Sequence, residues 1–376
     1  MRDEINSVPF VDLRADFFKI KAEILETISS IIDDTKFILG KYVLEFEKAF
    51  AKYIKTKYAV TLNSGTTALH FALISHGIGK KDEVITVPNS FIASSEAIAY
   101  TGAKPVFVDI NPSTFNIDTE KIEEKITNKT KAILPVHLYG QPCDLDEISD
   151  ICSDHNLVLI EDACQAHGAE YKNQRIGSTG NTTCFSFYPT KNLGAFGDAG
   201  ILVTDDENIA ETVRILRDHG QQKKHVHNLL GYNGRMDALQ AAILKIKLPY
   251  LDKWIEQRIK IAKLYYERLN RNEFIDLPIL GRERKHVYHL FVIRSKNREK
   301  LQNMLSNYKI ATQIHYPTPI HLQQAFKYLG YRYDDFPETE KTCKEILSLP
   351  MSPTLSKEQI NYVCDKINKF YYENLI

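Results

Sequence analysis

The sequence has no surplus of either charge sign: 48 Lys and Arg stand against 48 Asp and Glu in 376 residues. That balance argues against a partner that must be gripped electrostatically, such as nucleic acid or an anionic membrane. Long apolar runs are also missing. The longest, such as LVLIEDAC, fall far short of a membrane span. The N-terminal stretch MRDEINSVPFVDLRADFF has no apolar h-region and no small-residue cleavage site. No signal peptide is expected, and the protein is expected to be cytoplasmic. The cysteines at 143, 152, 164, 184, 343 and 364 form no CxxC pair, which disfavours a zinc ribbon or a redox dithiol. Free, mostly buried thiols and no metal are expected. No internal repeat and no low-complexity linker breaks the chain.

What remains is ordinary globular material, 43% hydrophobic and 26% charged, long enough for about two domains. Residues 16–32 and 42–53 repeat apolar positions at helical spacing. Short apolar runs follow: YAVTL (58–62), EVITV (83–87), KPVFVDI (104–110), KAILPV (131–136), LVLIED (157–162), CFSFY (184–188) and AGILVTD (199–205). Helical stretches such as TALHFALISHG and ASSEAIAYTG separate them. This alternation predicts an α/β fold, a mostly parallel sheet between layers of helices. Beyond residue 245 the pattern changes to a long helical segment (248–270), a strand-like YHLFVI (288–293) and helices at 298–308 and 356–370. A large domain over residues 1–248 and a smaller α+β domain over 249–376 are predicted.

Three segments carry chemistry. SFYPTKNLGAFGDAG (186–200) places Ser186 and Lys191 on a glycine-rich turn between two strands. Alone, Lys191 reads as one more solvated lysine. LVLIEDACQAHGA (157–169) ends a buried strand in Glu161–Asp162, and ligands of open parallel sheets sit beyond the carboxyl ends of strands. A carboxylate there suits a cationic ring nitrogen, although Asp162 reads equally as a helix cap. LNSGTTALHFAL (62–73) runs from a strand into a helix whose first N–H groups suit a phosphate, and no GK[ST] follows to make it a Walker loop. Phosphate cradle, ring-nitrogen carboxylate and lysine thus follow one another along the chain.

In that order, and with VPFVDL (8–13), FILGKYVLEFEKAFAKY (37–53), VPNSFIASSEAI (87–98), PVHLYGQPCDLD (135–146), GYNGRMDALQAAIL (231–244) and IHYPTPIHLQ (314–323), the sequence resembles the DegT–StrS group of sugar-nucleotide aminotransferases. The resemblance spans nearly the whole chain. It implies the fold type I architecture, with a seven-stranded large sheet and pyridoxal 5'-phosphate as cofactor. It implies that Lys191 carries the cofactor covalently and moves the proton. By the same resemblance Asp162 pairs with the ring nitrogen and Gln165 lies near the ring hydroxyl. Gly65, Thr66 and Ser186 hold the phosphate, Phe91 stacks on the ring, and Asn233 reaches the phosphate of a partner subunit in a homodimer. Phe91 taken alone reads as a core aromatic. Thr67 departs from the Asp or Ala common in the family, which matters little if backbone N–H groups bind the phosphate. Relatives that act as dehydratases carry histidine in place of the lysine, and Lys191 disfavours that chemistry.

L-glutamate is implied as amino donor and a keto sugar nucleotide, UDP- or dTDP-linked, as acceptor. The product would be an amino sugar for surface polysaccharide or lipid A type glycans. Tyr188, Arg235, His315, Tyr316 and His321 are candidates for the sugar nucleotide. The basic stretch QQKKHVH (221–227) is either a further candidate or a solvated loop. The segment RDHGQQKKHVHNLLGYNGRMDALQAAIL (217–244) resembles relatives acting on 3-keto sugars. A 4-keto acceptor is the alternative, and a non-catalytic regulatory protein of the same fold is the contrasting reading. No DNA-binding helix pair supports the latter.

Overall fold

A computed structural model describes residues 7–14, 20–270 and 272–374. Its large sheet contains seven strands: β1 (Tyr58–Leu62), β2 (Glu83–Thr86), β3 (Lys104–Phe107), β4 (Thr130–Ile133), β5 (Val158–Asp162), β6 (Thr182–Ser186) and β7 (Gly200–Thr204). Across the sheet they lie in the order β1-β7-β6-β5-β4-β2-β3. Neighbours from β6 to β3 run parallel, and β7 is antiparallel to both β1 and β6. Every residue of β7 and β2 is buried, as expected for strands covered on both faces.

Helices supply that cover. Lys41–Ile54 turns Val43, Phe46, Phe50 and Ile54 inward at a spacing of three to four residues. Gly65–Ser75 has no polar face to speak of, with Gly65 and the run Ala68–Leu73 all buried, so it is packed on every side. Its start is fixed by Ser64, whose Oγ accepts the Thr67 N–H at 3.1 Å.

A second sheet pairs Phe291–Ser295 with Ile275–Asp276 and Ile346–Leu349, all antiparallel. It packs with Leu251–Leu269 and Lys357–Asn374 around Tyr265, Phe291, Leu301, Leu347 and Val363. The helix Leu251–Leu269 serves both cores: Leu251 and Ile255 join the cluster under the large sheet, while Ile261, Tyr265 and Leu269 join the second.

The first predicted helix is found as Lys21–Asp34, and its residues 16–19 lie outside the described chain. The strand predicted to start at 288 starts at Phe291. Tyr288 has φ 45°, and its carbonyl is taken by Arg258 rather than by a neighbouring strand. The stretch 221–227 forms a short exposed ribbon, Gln221–Lys223 against Val226–His227. No described helix is long and apolar enough to cross a membrane.

Candidate active site

A cavity of about 610 Å³ opens at the carboxyl ends of β5 and β6, beside the start of helix Gly65–Ser75. Gly65 and Thr66 stand on one wall, at the helix N-terminus, where the first N–H groups have no intrahelical acceptor. Close packing makes the glycine obligatory: a Cβ on Gly65 would lie 2.7 Å from Ser186 Cβ and 2.8 Å from Cys164 Sγ. Gly200 is as tight, since its Cβ would lie 2.3 Å from the Ser64 carbonyl. The register that pairs Gly200 with both Leu62 and Ser186 therefore brings β1, β6 and β7 together at the helix start. Free N–H groups, a helix dipole and the Ser186 hydroxyl form a donor set suited to a phosphate.

Asp162 is the last residue of β5 and is 4% exposed. Its Oδ2 accepts the Ser94 hydroxyl at 2.7 Å and its Oδ1 accepts the Cys164 N–H at 3.1 Å. Ser94 Oγ in turn lies 2.9 Å from Ser90 Oγ. Asp162 makes no ion-pair contact among the described residues, yet it faces the cavity. A buried carboxylate in that position suits a cationic group in the cavity, and the Lys191 amine interacts with it there. Gln165 accepts the Tyr139 N–H at 2.7 Å and reaches Tyr316 Oη with its Nε2 at 3.4 Å. Phe91 leaves about half its surface exposed on the cavity wall, its ring 5.5 Å from that of Tyr316.

Lys191 projects from a turn that has little room to move. Its N–H donates to Tyr188 O at 2.8 Å, and a Cβ on Gly194 would lie 2.2 Å from Pro189 O. Lys247 Nζ donates to Gly194 O, and Asn192 Nδ2 donates to Val287 O at 3.2 Å. Burial lowers the Lys191 pKa, partly offset by Cys164 and by the Asp162 charge, which raises the share of free amine. The imidazoles around it are kept neutral by burial and by the lysine charge: His315 is pushed down to about 4 and His167 to about 3.

Gly65, Thr66, Phe91, Asp162, Gln165, Ser186, Tyr188, Lys191, His315 and Tyr316 thus meet in one cavity, although they are spread over 250 positions of the chain. Three predicted residues do not line it. Asn233 is exposed, and only its backbone is tied nearby, through Asn63 Nδ2 at 3.2 Å. Arg235 pairs with Asp218 at 2.5 Å. His321 requires correction as a substrate contact. It is 2% exposed, its Nε2 lies 3.2 Å from Glu340 and its ring is set against Phe336, so it is buried away from the cavity. Conversely, Ser90, Ser94, Cys164, Thr190, His289 and Gln313 line the cavity without having been picked from the sequence. The serines of VPNSFIASSEAI were the available signal, since they flank the aromatic Phe91.

The sequence model of the "DegT/DnrJ/EryC1/StrS aminotransferase family" matches residues 18–368. A Geobacillus stearothermophilus protein named "Pleiotropic regulatory protein" is 47% identical over 368 residues, covering 97% of this chain and 99% of its own. The "dTDP-3-amino-3,6-dideoxy-alpha-D-galactopyranose transaminase" of Aneurinibacillus thermoaerophilus is 45% identical over 365 residues, 97% of this chain and 100% of its own. Among solved structures, S. venezuelae DesV in complex with a ketimine intermediate superposes with a TM-score of 0.95 at 40% identity, over 97% of this chain and 98% of that one.

Proposed function

This chain belongs to the DegT/DnrJ/EryC1/StrS aminotransferase family, and on that premise we propose that it moves an amino group from L-glutamate to the keto carbon of a UDP- or dTDP-linked 3-keto hexose. The observation that carries the reading is the desolvated amine of Lys191 sharing a cavity with the buried carboxylate of Asp162, which Ser94 and the Cys164 N–H hold in place. Pyridoxal 5'-phosphate supplies, when bound, an electron sink for the pair left behind as a proton leaves the substrate carbon. Lys191 would take that proton as base and give it back as acid on the far side of the nitrogen being transferred. Asp162 holds positive charge at the ring nitrogen, with Ser94 and Cys164 N–H keeping the carboxylate in place. Gly65, Thr66 and Ser186 would hold the phosphate, Phe91 would contact the ring and Gln165 would serve the ring hydroxyl, all from the walls of this cavity. Donor and acceptor use the same lysine in turn, so ping-pong kinetics follow.

The transaminase from Aneurinibacillus thermoaerophilus is named for a 3-amino sugar, which supports amination at C3. Tyr188, His315 and Tyr316 line the cavity and would meet the sugar nucleotide in this reading. The Geobacillus stearothermophilus relative is named a regulatory protein, but Lys191, Asp162 and the start of helix Gly65–Ser75 sharing one cavity support the catalytic reading. The reading includes a homodimer in which Asn233 completes the partner's phosphate site. Leu229, Leu230 and Tyr232 just ahead of it are exposed apolar residues that a second subunit would cover. It also includes a cytoplasmic location and a large domain of residues 1–248 beside a small one of 249–376. Incubation with glutamate and a panel of 3-keto and 4-keto UDP- and dTDP-sugars, with products identified by NMR, tests it. Amination at C4 alone overturns the regiochemistry, and no amino sugar from any acceptor overturns the reading.

A further inference from the structure

Two substrates must use Lys191 in turn, and the amino donor is small, with carboxylates as its fixed handles. Among the described residues lining the cavity there is no arginine, and Lys191 is the only lysine. A second cavity of about 290 Å³ adjoins it, and Thr190, His289, Gln313 and His315 line both. The other walls of the second cavity are apolar, among them Phe10, whose ring lies 5.8 Å from that of His315.

His289 is the residue on this shared wall that the chemistry above leaves unused. It is 8% exposed, and its Nδ1 is buried with no hydrogen-bond partner among the described residues. That nitrogen has almost no accessible surface, so a ligand in the cavity meets other atoms of the ring. Its backbone is pinned: Arg258 Nη1 donates to the carbonyls of Tyr288 at 3.2 Å and His289 at 3.4 Å. Asn192, next to Lys191, holds Val287. His315 is less available, since its Nδ1 is paired with Ser348 Oγ at 2.9 Å. Burial and the charges of Lys191 and Arg258 keep His289 well below its ordinary range, so it is a neutral group with one N–H to give. Thr190 and Gln313 add a hydroxyl and an amide.

We propose that Thr190, His289 and Gln313, on the wall shared by the two cavities, form the carboxylate-receiving subsite for the amino-acid donor. Neutral donors suit a wall that serves two substrates. An arginine here would be left as an unpaired buried cation whenever an uncharged sugar ring took the site. A hydroxyl, an amide and a neutral imidazole can bond a carboxylate and leave no unpaired charge behind when the sugar takes the site.

The inference rests on the transaminase reading, and the test separates the two. The donor half-reaction is followed by the change in cofactor absorbance on adding L-glutamate. The reverse half-reaction is followed with the amino sugar nucleotide made by the wild-type enzyme. For His289→Phe the half-saturating glutamate concentration rises about 10- to 100-fold, the loss of one hydrogen bond to a charged group, while that of the amino sugar nucleotide moves less than about threefold. Thr190→Val shifts glutamate in the same direction, and His289→Gln, which keeps an N–H, recovers part of the loss. Calorimetry with glutarate, which cannot react, shows binding to the wild-type holoenzyme that His289→Phe loses. Unchanged glutamate dependence in both variants overturns the proposal, as do equal shifts for both substrates, which mark a structural role. If no amino acid changes the wild-type absorbance, the transaminase reading fails, and glutarate binding still decides the subsite.

Discussion

Asp162 and Lys191 carry opposite charges in one cavity but are held there by different means. The carboxylate is fixed by donors, Ser94 Oγ and the Cys164 N–H, while the amine is set by the stiffness of its turn and by desolvation. Replacing Lys191 with Ala removes both the covalent anchor and the proton carrier. The half-reaction with glutamate should slow by at least about 10²–10⁴-fold in single-turnover absorbance, the range for a lost general base. Borohydride should no longer fix the cofactor to the chain. Ser94→Ala removes one hydrogen bond to a charged acceptor and should weaken cofactor binding about tenfold in a titration of the apoprotein, with Ser94→Thr restoring it. Lys191 and Asp162 were legible in the sequence because several motifs in fixed order surround them. His321 was not, because its partner Glu340 lies on a helix that only the tertiary fold brings to it. His289 stands in a segment with no motif, between a φ of 45° at Tyr288 and the strand at Phe291.

At the level of elements, the phosphate cradle exists because three strands and a helix start approach too closely for side chains. Gly200→Ala forces a Cβ against the Ser64 backbone, which has no rotamer to yield. Overpacking of this kind costs roughly 1–3 kcal/mol, and urea denaturation should show it as a lower midpoint with an unchanged slope. Gly65→Ala meets the flexible Cys164 Sγ as well as Ser186, so its larger effect should be on cofactor affinity. The seven strands of the large sheet were readable from buried apolar runs between helical patterns, with ends displaced by at most three residues. The two-residue pairings were not: Glu170–Tyr171 with Gln174–Arg175 and with Arg284–Lys285 are too short to show any period.

On the scale of the whole molecule, acid should act through buried histidines. Burial pushes His167 and His286 down to about 3 from 6.5, so both stay neutral in the folded chain. The unfolded chain takes up these protons near pH 6.5, and below that pH it binds more protons than the native state. Stability is therefore full above pH 6.5 and falls as pH drops toward 3, by up to about 1.4 kcal/mol per unit for each histidine. Melting temperatures between pH 7.5 and 5 should fall, and His167→Phe should flatten the decline. The second prediction concerns assembly. Asn233 is exposed and absent from the cavity of its own chain, while the apolar Leu230 beside that segment is 97% exposed. If a second copy covers this surface and Asn233 enters the partner's site, a site takes its lysine from one chain and its asparagine from the other. Mixing Lys191→Ala chains with Asn233→Asp chains, each inactive alone, then makes hybrids with one intact site. Random exchange makes half the dimers hybrid, so about a quarter of wild-type activity should return after co-refolding, as two-fold symmetry requires. A mixture no more active than its parents would place Asn233 outside the partner's site and leave the cradle of Gly65, Thr66 and Ser186 to hold the phosphate alone.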